Sequence, residues 1–409
     1  MSPPPQGSWP SAFSADTRFD SIPSGPPNVL LIGCGAVGSV VARHLAASDA
    51  IGDVIAADVD GELAKRTASA LRSPKVHATA LDAGDGDALR RAMDGCGIVI
   101  NVALPRFNIG IQKAALERGL HYLDPASESA DPFVDSDIWK EAGLTALLAM
   151  GEDPGLSNVF VRHAADGMDR VESVRVRDGD TASSPDYPFV ALFSPETFVE
   201  ETLTPSRIYR EGKYETVPPF GELETFDFPA PVGPLPVYSV DHEEVDTLPR
   251  FIGKGVRYVD FKLALDAATV QTLKLFRDLH LLERGPPGGP SPRKALFAAL
   301  PKPADLAGRV DGHAVILVEV AGAKDGQPIV HTIYTVLGHR EASEKFGATA
   351  TAYLTGSGVA AGAILLAERT IHTKGKLSPE SLDPKPFLPL LRKFGIEVKE
   401  RIRWERSLS

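Results

Sequence analysis

Apolar residues along the chain fall into two regimes. Between residues 28 and 150, short continuous apolar runs at 28–32, 53–57, 76–81, 98–101, 121–123 and 145–150 alternate with stretches of helical composition. Those stretches lie at 37–47, 62–71, 87–94, 109–118 and 135–142. Largely apolar runs of three to six residues suit strands buried on both faces, and regular alternation with helices predicts a doubly wound parallel sheet. In such a sheet ligands sit at the carboxyl ends of the strands.

Beyond residue 151 the pattern changes. Runs at 171–177, 256–265, 315–320 and 329–337 are rich in β-formers and partly alternating. They predict a largely antiparallel sheet with one face covered, with helices at 267–282 and 293–300 available to cover it. Residues 284–292, with four prolines and three glycines, read as a loop. The stretch 349–370 is apolar on most sides and must be buried. It is expected to return to the first domain, which makes the second an insertion: an α/β Rossmann sheet with an inserted α+β substrate domain. The expected division is a flexible extension at 1–25, a dinucleotide domain at 26–150, a substrate and dimerisation domain at 151–345, and a return segment with tail at 346–409. The tail carries a short helix at 387–393 and an alternating run at 396–404.

A net charge of −11 argues against nucleic acid or an anionic membrane as partner, since both need a basic face. No apolar run is expected to span a membrane, and residues 1–25 lack the charged start and apolar stretch of a signal peptide. Two cysteines without ligand spacing imply neither disulfides nor a metal. The expected setting is cytoplasmic, with a small-molecule amino-acid substrate and assembly as a homodimer or higher homo-oligomer.

The candidate chemistry starts at Gly33-Cys34-Gly35-Ala36-Val37-Gly38, between the first strand and the first helix. Gly33 permits a tight turn, Gly35 lets backbone approach a pyrophosphate, and Gly38 lets helix pack on strand. The helix that Ala36 and Val37 open offers its N–H groups and positive dipole end to phosphate. Asp58, about twenty residues past the last glycine, is placed to bind ribose hydroxyls and to repel a 2′-phosphate, so NAD is expected over NADP. Asn101 and Pro105, after the fourth strand, are candidates to line the nicotinamide. Asp124 points toward the crevice or caps a turn. The 150–158 turn is expected to place Pro154 in a helix's first turn and to aim N–H groups at the cleft.

Residues 238–250 bring His242, Glu243, Glu244 and Arg250 together without helical periodicity, and Lys254, Arg257 and Lys262 follow. An amino acid needs a cation for its carboxylate and an anion for its ammonium. Arg250 and Arg257 are the candidates for the first role; Glu243, Glu244 and Asp124 for the second.

With these motifs the chain resembles the saccharopine dehydrogenase-like family, and within it the bacterial lysine 6-dehydrogenases. The resemblance is carried by the glycine turn with Asp58 and by Val99-Ile-Asn-Val-Ala-Leu-Pro105. It continues through His121-Tyr-Leu-Asp124, Gly151-Glu-Asp-Pro-Gly-Leu-Ser-Asn158, Phe193-Ser-Pro-Glu196, Lys254-Gly-Val-Arg-Tyr258 and the 349–366 helix. It covers roughly residues 27 to 400 and departs from the lysine 6-dehydrogenase pattern at 239–250 and 257–260. The resemblance implies oxidation or formation of C–N bonds in lysine-derived compounds; NAD-dependent oxidative deamination of L-lysine at its ε-carbon is the activity expected, with a saccharopine reductase-like C–N forming dehydrogenase and a dinucleotide-binding protein without catalysis as the alternatives.

Overall fold

The computed structural model describes residues 25–404 apart from 128, 130, 287 and 288, so the extension expected at 1–25 lies, but for Gly25, outside the described residues. Six parallel strands form as the apolar runs require: β1 (Val29–Ile32), β2 (Val54–Asp58), β3 (Val76–Ala80), β4 (Ile98–Asn101), β5 (His121–Leu123) and β6 (Thr145–Leu147). Their spatial order is β3-β2-β1-β4-β5-β6. Ile32 pairs with both Ala57 and Asn101. That register sets the glycine turn after β1 beside Asp58 on one side and residues 102–105 on the other.

The second sheet contains β7 (Arg170–Asp180), β8 (Ser206–Arg210), β9 (Lys213–Val217), β10 (Glu224–Phe228), β11 (Gly233–Ser239), β12 (Tyr258–Ala264), β13 (His313–Lys324) and β14 (Gln327–Gly338). Its pairings are antiparallel except that β7 and β12 run parallel. Strands β8 to β11 were not expected from the sequence; their short, Pro- and Glu-containing segments show little alternation. Helix Glu244–Ile252 was not expected either. Its buried side includes Val245, Leu248 and Ile252 at helical spacing, but buried Glu244 and Thr247 interrupt the apolar stripe that would have revealed it.

The chain then returns to the first sheet. Helix Ala350–Ala367 packs on helix Ala36–Ala46, where His44 Nε2 lies 3.0 Å from Ser357 Oγ. β15 (Gly375–Leu377) adds a seventh parallel strand beside β6, while β16 (Val398–Trp404) pairs with β14, so the tail closes the second sheet rather than the first. Helix Ala350–Ala367 corrects one expectation: it has the length and composition of a membrane span, yet it is 83% buried inside the protein.

Glycine makes that burial fit. A Cβ at Gly356 would lie 2.7 Å from the Val40 side chain, and one at Gly358 would lie 2.0 Å from the Gly151 carbonyl oxygen. A Cβ at Gly362 would lie 2.9 Å from Leu147 and Met150. The helix therefore touches the glycine-turn helix, the 151–155 turn and the sheet at once. Gly358→Ala is expected to destabilise the protein by about 1–3 kcal/mol or more, because a backbone oxygen cannot yield as a side chain does. Gly110→Ala, on a helix where an added Cβ meets nothing within 4 Å, is expected to be neutral or stabilising by up to about 1 kcal/mol. Denaturant unfolding of the two variants measures the contrast; equal stability would show that the contact yields.

Candidate active site

The carboxyl ends of the first sheet face the second domain across a cleft of about 600 Å³. Three glycines shape its dinucleotide end. Gly33 has φ of 102°, and a Cβ there would lie 2.8 Å from Ala103 N. A Cβ on Gly38 would lie 2.0 Å from the Gly33 carbonyl oxygen. Gly35 is the opposite case: an added Cβ would meet nothing within 4 Å, so its bare face opens on the cleft. Helix Ala36–Ala46 starts there with no side-chain cap and no acid in its first turn. A pyrophosphate fits such a start, which offers N–H groups and no competing oxygen.

Asp58 ends β2 on the cleft wall. One carboxylate oxygen accepts the Cys34 N–H at 2.8 Å and the other the Asp60 N–H at 2.9 Å, fixing the group at the turn. Burial, reinforced by Asp58, pushes the Cys34 thiol up to about 12, so it packs as a small apolar residue.

The far end is acidic. Glu152 and Asp153 reach it from the turn between β6 and helix Leu156–Asp166, Asp178 from β7, Glu201 from helix Pro195–Leu203, and His242 and Glu243 from the loop before helix Glu244–Ile252. Glu152 Oε1 and Asp153 Oδ2 are buried with no hydrogen-bond partner. Such groups are costly unless something charged completes them. Burial, then the Asp180 charge, raises Asp178 to about 8; burial, then Glu243 and other acids, raises Glu201 to about 8 despite His242. Glu152 and Asp153 are pushed well above the carboxylate range by burial and by Asp178, and Glu243 is raised by burial. For His242 burial acts downward, but the carboxylates of Glu244, Glu201 and Glu243 outweigh it and hold the imidazole up to about 10. His242, Glu243 and Glu244 gather possible ligand atoms within 4.8 Å of one another, a spacing accounted for by the hydrogen bond between His242 and Glu244.

Comparison with known proteins places this architecture. Residues 29–147 match the saccharopine dehydrogenase NADP binding domain and residues 151–396 the saccharopine dehydrogenase C-terminal domain. The chain belongs to the saccharopine dehydrogenase family. It is an oxidoreductase of that family, with a dinucleotide-binding first domain. It is 30% identical over 391 residues to a carboxyaminopropylagmatine dehydrogenase of Synechocystis, covering 91% of this chain and 97% of the relative. It is also 30% identical over 402 residues to a carboxynorspermidine synthase of Vibrio alginolyticus, covering 90% and 95%. The solved saccharopine dehydrogenase (L-Glu forming) of Saccharomyces cerevisiae shares the fold, with a TM-score of 0.71 at 19% identity over 92% of this chain and all of that one. The curated relatives are named for agmatine and norspermidine derivatives rather than for lysine.

The residues singled out in the sequence of this saccharopine dehydrogenase-family protein separate into two groups. Gly33, Gly35, Val37, Asp58, Pro105, Pro154 and Glu243 line the cleft, and Ala36 opens the helix beside them. Gly38 and Asn101 act from behind the wall. Asn101 is buried, donating to Asn108 Oδ1 at 2.6 Å and accepting the Ala103 N–H at 3.0 Å, so it shapes the 102–105 segment rather than lining it. Asp124 is likewise buried behind Pro125: it accepts from Tyr122 Oη and Ala149 N at 2.8 Å each. Burial, offset by those donors, leaves its carboxyl at about 7.

Two expectations fail outright. Arg257 lies outside the cleft, 62% exposed and paired with Glu211. Arg250 is half-exposed, paired with Asp131 at 3.1 Å over the rings of Phe133 and Phe251. Both sit on surfaces turned from the cleft, which β12 and helix Glu244–Ile252 impose. Lys254 bonds the carbonyls of Ala165 and Met168, and Lys262 bonds the Glu222 carbonyl. Among the described residues lining the cleft, Arg106 is the only arginine or lysine. The 151–155 turn also differs from expectation. Helix Leu156–Asp166 begins after Pro154, and the Gly151, Gly155, Leu156 and Ser157 N–H groups all bond within the turn. Glu152 and Asp153 of this turn line the cleft and bring their carboxyl groups to it.

Glu152, Asp153, Asp178 and Glu201 were missed. The one available signal was the Glu-Asp pair inside a motif already singled out; Asp178 and Glu201 carry no spacing that marks them. The placement of the arginines yields a check. Arg257→Ala and Arg250→Ala are expected to stay within about twofold of the parent in turnover efficiency, as surface substitutions do. A hundredfold loss in steady-state kinetics would return Arg257 to the site.

Proposed function

We propose that the protein is a nicotinamide-dependent dehydrogenase that joins a carboxylated aldehyde to an amine bearing a second positive charge, and separates them in reverse. The observation that carries this reading is the acidic end of the cleft. Glu152, Asp153, Asp178, Glu201 and Glu243 converge there, with two buried carboxylate oxygens unpartnered. An α-ammonium alone does not need five acids; a diamine or guanidino amine does more to complete them. The relatives' names support the same class. A carboxyaminopropyl group on an amine nitrogen is what remains when an amine condenses with a four-carbon amino-acid semialdehyde and the C=N bond is reduced.

In this reading the aldehyde and amine lose water to give an imine, hydride reaches the imine carbon from the reduced nicotinamide, and a proton reaches nitrogen. Bound at the glycine turn, the dinucleotide supplies the hydride. The chain's own part is to hold the pyrophosphate on helix Ala36–Ala46, to wall the ring with residues 102–105, and to seat the distal cation among the acids. Arg106 is the cleft-wall cation for a substrate carboxylate. Oxidative deamination of L-lysine is the second reading, supported by the same acids for its ammonium groups.

NAD is proposed over NADP, because Asp58 stands where a 2′-phosphate would lie and Val59 beside it is 75% exposed and uncharged. Nearby Lys65 is paired with Glu62 at 2.8 Å.

Assays with NADH or NADPH, aspartate β-semialdehyde and either agmatine or 1,3-diaminopropane are expected to consume cofactor. Lysine-dependent NAD+ reduction without that activity would favour the second reading, and no turnover with either substrate set would sink both. Glu201→Gln is expected to raise the amine KM by roughly ten- to a hundredfold, the scale of one lost charged hydrogen bond. Asp178 and Glu201, at about 8, hold protons at pH 7, and an arriving ammonium favours their ionised forms. Amine binding at pH 7 should therefore release roughly one to two protons, read by calorimetry in two buffers; uptake of protons would contradict it. Asp58→Ala with Val59→Arg is expected to shift preference toward NADP, and a parent enzyme that already prefers NADP would refute the cofactor assignment.

A further inference from the structure

Resting on that reading, we propose that His242 passes a proton to, and takes it from, the reacting nitrogen, and that Glu244 and Ser157 are positioning residues that fix its ring. His242 lies on the cleft wall with its ring parallel to Phe261, centroids 3.7 Å apart and planes within 3°. Its Nδ1 is hydrogen-bonded to Glu244 Oε2. Glu244 is fully buried, and its other oxygen accepts from Ser157 Oγ at 2.8 Å. Ser157 stands in the first turn of helix Leu156–Asp166, directly after the acidic turn, and neighbouring Asn158 donates to buried Glu380 at 3.0 Å. Stack, carboxylate and hydroxyl together leave the ring one orientation. Nε2 is then the nitrogen available to the cleft, and no described residue hydrogen-bonds it.

The other titratable groups on that wall are less suited. Glu243 accepts the Ser127 N–H at 3.0 Å, and Asp124 lies behind the wall. Asp153, Asp178 and Glu201 are carboxyl groups matched to a cation. The groups bearing on His242 are Glu244 and Glu243 from its own segment, Glu201 from helix Pro195–Leu203 and Asp178 from β7. Together they keep the imidazole protonated to about 10, close to the ~10 of an alkyl ammonium, so transfer between the two is nearly balanced.

In the reductive direction the Nε2–H proton moves to the imine nitrogen while hydride from the reduced nicotinamide forms the new C–H bond. The secondary amine leaves with that proton, and neutral His242 regains one from solvent. In the oxidative direction neutral imidazole takes the proton from the amine. The reductive rate is therefore expected to fall, and the oxidative rate to rise, as pH climbs toward about 10.

The test uses the full-length enzyme with 1,3-diaminopropane or agmatine and aspartate β-semialdehyde. His242→Asn is expected to lower kcat at least about a hundredfold, to change the amine KM little, and to abolish the alkaline limb. Glu244→Gln, nearly isosteric, is expected to move that limb more than about one pH unit lower, and Ser157→Ala, which keeps the carboxylate, to move it by less. NMR titration of the imidazole, identified by its loss in His242→Asn, reads the same shift without substrate. A His242→Asn enzyme with normal kcat and an unchanged limb overturns the proposal, as does a Glu244→Gln limb that stays in place. A parent ring that titrates near the ordinary ~6.5 does so too. If the parent turns over neither amine, the functional reading fails, and the NMR titration then decides the His242–Glu244 pair by itself.

Discussion

The close approach of helix Ala350–Ala367 to the Gly151–Gly155 turn is the contact on which the cleft depends. Gly358 admits the Gly151 carbonyl where no side chain would fit, and Gly356 does the same for Val40 on the glycine-turn helix. One rigid helix thus ties the start of the dinucleotide site to the turn that carries Glu152 and Asp153. Thr351 and Thr355 on its cleft-facing side reach Asp180 and Glu152 at 3.3 and 3.4 Å, carrying the tie into the acidic cluster. The late return of the chain to the first sheet therefore assembles the site and closes the fold together.

Gathering five carboxyl groups out of water opposes folding, because like charges and desolvation both penalise the ionised forms. The protein meets that cost by holding protons on part of the cluster and by placing His242 within it. The same arrangement makes the cluster responsive: a cation that enters exchanges for protons. In the function proposed, charge recognition and proton handling fall to one set of groups, with the Glu244–Ser157 pair on the buried side and the cofactor wall on the other.

Much of the first domain was legible in the sequence because parallel strands buried on both faces leave short unbroken apolar runs, and because the glycine turn has one steric solution. Boundaries at β4 and β5 and at helix Phe387–Lys393 fell where expected. The second domain was less legible. Strands β8 to β11 show little alternation, and helix Glu244–Ile252 hides behind a buried glutamate. Site residues followed the same division. Gly33, Gly35 and Asp58 announce themselves by spacing, whereas Asp178 on β7 and Glu201 on helix Pro195–Leu203 meet only in the folded cleft. Arg257 and Arg250 illustrate the converse: charges close in sequence to His242 were turned outward by the elements that carry them.

The most direct test is a crystal structure of the enzyme with a nicotinamide dinucleotide and 1,3-diaminopropane or agmatine bound together. The expected result is the pyrophosphate at the start of helix Ala36–Ala46, the nicotinamide against residues 102–105, and the distal cation within hydrogen-bond distance of Asp153, Asp178 or Glu201. An amine seated away from those carboxylates, or against the Arg257–Glu211 surface, would contradict the central claim.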